Sequence, residues 1–87
     1  MTLTFFFQTT IVDIDGTVEG DPEHPSLVLI LEMDEIFIKV VVPDGVLAGR
    51  RELLAVGETV KVSGEVKHGA YGSIHVASDL SLEAKLH

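Results

Sequence analysis

Asp13 and Asp15 stand two residues apart at the end of an apolar run, in the segment "IVDIDGT" from Ile11 to Thr17, and Glu19 follows four residues later. Residues two apart on an extended strand share one side and lie roughly 6.5–7 Å apart along it. These three carboxylates could therefore share a loosely held divalent cation. The spacing is not that of a calcium loop, which wants acids at positions one, three and five and Gly at six; here Gly16 comes three residues after Asp13. The same pattern is produced by the solvent-facing alternates of a half-buried strand, and a run of charge is ordinarily a solvated face. The sequence therefore predicts no bound metal and no cofactor. His24, His68 and His75 share no ligand spacing; His75 is expected to alternate outward on a strand, and His24 and His68 to lie in loops. No Ser, His and acid are singled out as a catalytic set.

The apolar strand followed by Asp-x-Asp-Gly-Thr resembles the first motif of the haloacid-dehalogenase-type phosphatases. That resemblance implies Asp13 as a phosphoryl-accepting nucleophile and Asp15 as its general acid. It also implies a Lys and further acids supplied from other strand ends of a large α/β sheet. Such a sheet requires repeated βαβ crossovers, whereas this sequence carries one helical segment. A motif outside its structural context is coincidental. No catalytic residue is assigned, and the chain is expected not to be an enzyme.

The elements that must hold these residues are bounded by size and charge. The 87 residues suffice for a single domain spanning 1–87, and 46% are apolar. There is no cysteine, so neither disulfides nor thiolate metal sites are available. The aliphatic run Leu27–Leu31 is far shorter than the ~20 residues of a membrane helix. No basic residue precedes Leu3–Phe7 and no small-residue cleavage site follows, so no secretory leader is expected and the cytoplasm is the default. The net charge of −8 is placed unevenly. Asp13, Asp15, Glu19, Asp21, Glu23, Glu32, Asp34 and Glu35 precede any Lys or Arg, whereas acids and bases cancel from Ile36 onward. Such a field repels phosphate backbones and attracts cations or basic protein surfaces.

Residues 5–18 are β-branched and aromatic, with Val12, Ile14, Gly16 and Val18 alternating against Asp13, Asp15, Thr17 and Glu19. They form a first strand, with a bend expected at Gly16. "EGDPEHP", Glu19–Pro25, is a loop. Ser26–Met33 and Ile36–Val42 are the next strands, turned at Asp34-Glu35. Pairing residues whose numbers sum to 69 places Leu27, Leu29, Leu31, Met33, Ile36, Ile38, Val40 and Val42 on one wholly apolar core face. A one-residue slip would bury Lys39 instead. Pro43–Gly45 is a turn, and Val46–Val56 a short helix ended by Gly57. Glu58–Lys67 alternates with Val60, Val62, Gly64 and Val66 inward. His68–Gly72 is a hairpin loop, and Ser73–Ser78 the last strand, with Ile74 and Val76 inward.

Three strands, a helix and two strands, with "VGETVKVSGEV…GSIHVASDLSLE" similar to the closing hairpin of nucleic-acid-binding domains, resemble the OB-fold. The expected class is all-β: a five-stranded Greek-key barrel with one short helix between strands three and four. The resemblance implies binding across strands two and three, flanked by the loops joining strands one to two and four to five. That face holds Val28, Ile30, Glu32, Phe37, Lys39 and Val41, and Lys67, His68 and Tyr71 lie at the second loop. Four of its six residues are apolar, as an interface requires. The expected function is a non-catalytic module for protein association, with a partner or as a homo-oligomer. The alternative is a single-strand nucleic-acid module, with Phe37 and Tyr71 for stacking and Lys39, Lys61, Lys67 and His68 for phosphate. No membrane partner is expected.

Overall fold

The computed structural model describes residues 3–15, 26–47, 53–69 and 72–82. These residues form five strands: β1 (Leu3–Asp15), β2 (Leu27–Met33), β3 (Ile36–Val42), β4 (Thr59–Gly69) and β5 (Gly72–Leu82). One short helix, α1 (Asp44–Leu47), lies between β3 and β4. The strands close into a barrel in the order β1-β2-β3-β5-β4. Every neighbouring pair is antiparallel except β3–β5, which is parallel and joined only at Val40↔His75 and Val41↔Val76. No helix among the described residues is long and apolar enough to cross a membrane.

The hairpin of β2 and β3 pairs Leu27 with Val42, Leu29 with Val40 and Leu31 with Ile38, the register that the apolar alternation predicts. Leu27, Leu29, Leu31, Val40 and Val42 are all buried. Complete burial of such side chains stabilises the fold by about 1.5–3 kcal/mol each. The core face ends before the hairpin does. Met33 and Ile38 are half-buried, and Ile36, expected inside, is 63% exposed because it closes the turn beyond the packed part of the barrel. Thr9 ties the tip to β1, its hydroxyl donating to the carbonyl of Glu32.

Two bulges curve the barrel and reverse which residues face in. On β1, Ile11 pairs with Leu31 and Asp13 with Ile30, leaving Val12 as the extra residue. Phe5 and Ile11 therefore face inward before the bulge, and Ile14 after it. A bulge thus sits at Val12; Gly16, where a bend is expected from the sequence, lies outside the described residues. On β5, Ser63 pairs with Asp79 and Gly64 with Ala77, so Ser78 is extra. The strict alternation expected along β5 is broken there. Ala77 and Leu80 are buried, Ile74 is 47% exposed, and Val76 faces outward opposite Glu65. His75 turns inward with Val66 rather than outward. Its ring stands edge-on to Phe5 at 5.1 Å and tilted to Phe7 at 5.6 Å.

The helix differs from its sequence expectation. Asp44 and Gly45, expected in a turn, begin α1, where the Pro43 carbonyl accepts from the amides of Val46 at 2.9 Å and Leu47 at 3.0 Å. Leu54–Val56, expected to be helical, are not. Buried Leu54 leads into a turn in which Glu58 N–H donates to Ala55 C=O at 3.1 Å. Gly57 occupies its left-handed corner at φ 95°. Residues 48–52 lie outside the described residues. The hairpin loop expected at His68–Gly72 is shorter, because His68 and Gly69 extend β4 and Gly72 begins β5.

Candidate binding face

The outer alternates of β2 and β3 come together in cross-strand pairs: Val28 with Val41, Ile30 with Lys39, and Glu32 with Phe37. The face is continued on β1 by Asp13, beside Ile30, and Asp15, beside Val28. On the other flank Val41 adjoins Val76 of β5, Val76 pairs with Glu65, and Ile74 pairs with Lys67. One apolar strip thus crosses three strands as Val28, Ile30, Val41, Val76 and Ile74. Carboxylates border it on β1, and Lys39 stands within it.

Between these strands lies an open groove of about 350 Å³ lined by Asp15, Ser26, Val28, Lys39, Val41, Ser73 and Ile74. It forms where β3 and β5 part company. Their parallel ladder begins only at Val40 and His75, so the preceding residues, Lys39 and Ser73–Ile74, diverge and leave a cleft. At its rim His68 and Ser73 are cross-strand neighbours, with Nδ1 and Oγ 3.2 Å apart, which pins the tip of the β4–β5 hairpin. Phe37 lies along the strand from the groove and is 67% exposed.

Of the residues expected at the site, Val28, Ile30, Glu32, Phe37, Lys39 and Val41 share one face, and Lys67 and His68 lie at the hairpin beside it. Tyr71 and Glu19 lie outside the described residues. Sequence alternation missed Ile74 and Val76, because the bulge at Ser78 shifts β5 by one position; Ser73 joins the groove because it lies where β5 parts from β3. The Ser78-Asp79 pair between the apolar residues Ala77 and Leu80 was the available signal. Among the described residues Asp13 meets no constellation: it is exposed, and its Oδ1 accepts from the following amide of Ile14 at 2.9 Å. Among the described residues no three His, Asp or Glu side chains gather as a metal would require. Among the described residues no Lys joins Asp13 at the edge of a parallel sheet, as the phosphatase motif demands, because β1 is antiparallel to both its neighbours.

No protein-family model matches the sequence, and no curated protein matches it. Among solved structures, a chain in the crystal structure of the S. pombe Stn1–Ten1 complex superposes with a TM-score of 0.75 at 18% identity. The match covers 98% of this chain and 60% of that one, so the chain spans about three-fifths of the length of its structural neighbour. At this identity the likeness concerns the fold. With strands in the order β1-β2-β3-β5-β4, closed and with a helix between the third and fourth, the chain has the OB-fold.

Proposed function

We propose that the protein is a non-catalytic OB-fold binding module that associates with protein through the outer face of β2 and β3. The observation that carries this reading is the apolar strip of Val28, Ile30, Val41 and Ile74, which runs into 67%-exposed Phe37. An outward aromatic beside aliphatic side chains costs solubility unless something covers it. The structural neighbour is itself part of a protein–protein complex, which supports the reading without specifying a partner.

A photo-crosslinking residue at Phe37 tests it in cells, with one at exposed Lys61 of β4 as the control. A protease-sensitive adduct from position 37 and none from 61 is expected, its mass reporting a partner or a second copy. No adduct, or adducts equal at both positions, overturns the proposal.

The second reading, single-stranded nucleic acid, draws on exposed Phe37 and on Lys39 and Lys67 on either side of Ile74. Aromatic stacking and nearby cations are what such strands use. Asp13, Asp15, Glu32 and Glu65 on the same face oppose it. A nuclease-sensitive adduct at position 37 would establish this second reading instead.

A further inference from the structure

We infer that the edge of β3 at Phe37, the last position before β5 takes up the ladder through Lys39 C=O and Val41, accepts an extended, basic segment of a partner protein as an added strand. This rests on the protein-association reading above and specifies its mode. The turn Asp34-Glu35 makes Met33↔Ile36 the closing pair of a two-residue hairpin, both turn residues having positive φ. The closing pair exchanges both its hydrogen bonds, and the pattern alternates from there. The N–H and C=O of Ile36, Ile38 and Val40 therefore point to β2, and those of Phe37, Lys39 and Val41 point away from it. Beyond the strand, β5 takes up the ladder only from Val40 and Val41. Among the described residues nothing pairs with the edge at Phe37, which presents an N–H and a C=O next to an open groove. Such an edge is a template for strand addition: the main chain supplies affinity, and alternate side chains supply specificity.

Charge selects the occupant. Glu32, Asp34 and Glu35 are exposed around the hairpin, with Lys39 as the cation on the strand. A cationic side chain opposite Phe37 would lie against its ring and within reach of Glu32, which is the ring's neighbour on β2. Apolar alternates of the same segment would meet the exposed side of Ile36. A second copy of a chain carrying −8 is the wrong sign for this edge.

The test uses a fluorescent peptide alternating arginine and valine, an equal one with glutamate for arginine, and a single-stranded oligothymidine. The arginine peptide is expected to bind at least about tenfold more tightly than the glutamate one. The Phe37 amide should then become protected from hydrogen exchange. Phe37→Ala should weaken binding, and Phe37→Pro should weaken it about tenfold further, since proline also removes the edge-facing N–H, which the barrel does not use. If Phe37→Ala and Phe37→Pro weaken binding equally and the amide stays unprotected, the face binds through side chains and strand addition is overturned. If the arginine peptide does not bind, or binds no better than its glutamate counterpart, the inference is overturned. If oligothymidine binds and neither peptide does, it falls together with the association reading. Protection in the wild type decides the matter even where Phe37→Pro unfolds the barrel.

Discussion

Gly64 is the residue on which closure of the barrel turns. A Cβ placed there would lie 2.0 Å from the carbonyl oxygen of Val76 and 2.9 Å from both Ala77 Cα and Ser78 N. All three are backbone atoms, so no side chain can swing aside. The bulge at Ser78 brings β5 this close. Gly64→Ala is therefore expected to destabilise by about 3 kcal/mol, at the upper end of overpacking costs. Urea unfolding followed by circular dichroism reads it directly, and a variant as stable as the parent would contradict the packing described. Gly64 was legible in the sequence as an inward alternate of β4; that it must be Gly was not, because the clashing atoms belong to another strand. His75 shows the same limit. Alternation assigned it to solvent, whereas it packs on Phe5 and Phe7, because one unpaired serine three residues later shifts the inward positions.

At the scale of elements, the β2–β3 hairpin was the most readable part of the chain, and its turn is its weakest. Asp34 at φ 48° and Glu35 at φ 70° both occupy the left-handed region that two-residue hairpins demand. Aspartate tolerates it, but a Glu side chain there costs about 1 kcal/mol. Glu35→Gly should raise the stability by up to about 1 kcal/mol, the relief of strain being partly offset by a more flexible unfolded chain. The midpoint of urea denaturation checks this. The turn before β4 makes the converse case. Gly57 at φ 95° closes the Ala55–Glu58 turn and donates its N–H to Ile11 C=O at 2.8 Å. Gly57→Ala is expected to lower stability by about 1 kcal/mol in the same assay. The helix was read less well. Leucines and valines spaced around arginines suggested a helix to Val56, but the chain must leave it early enough for Leu54 to reach the core and for Gly57 and Glu58 to meet Ile11.

For the whole molecule, net charge and face composition decide what can bind. A chain at −8 with Asp13, Asp15, Glu32 and Glu65 on its candidate binding face repels a phosphate backbone. Labelled oligothymidine at physiological salt is expected to bind no more tightly than about 10 μM, within the range of non-specific electrostatic contacts. Fluorescence anisotropy measures this, and a nanomolar affinity that falls steeply with salt would favour the nucleic-acid reading. Association with a basic protein segment should also weaken as salt rises, because its attraction is screened over about 8 Å at physiological ionic strength.

By itself, the sequence determined the barrel class, the number and order of strands, the β2–β3 register and the outer face of that hairpin. The strands, the register and the face follow from period-two alternation within a short stretch of chain, where burying Lys39 would cost too much for any other pairing, and the barrel class follows from the resemblance of the whole strand pattern to the OB-fold. Only the tertiary structure decided the bulges at Val12 and Ser78, the inward turn of His75, the contribution of Ser73 and Ile74 to the groove, and the edge at Phe37 that no strand among the described residues pairs with. These depend on where distant strands meet and part. Closure forces β3 and β5 together at Val40 and Val41 and lets them diverge before that, a geometry that no local pattern encodes.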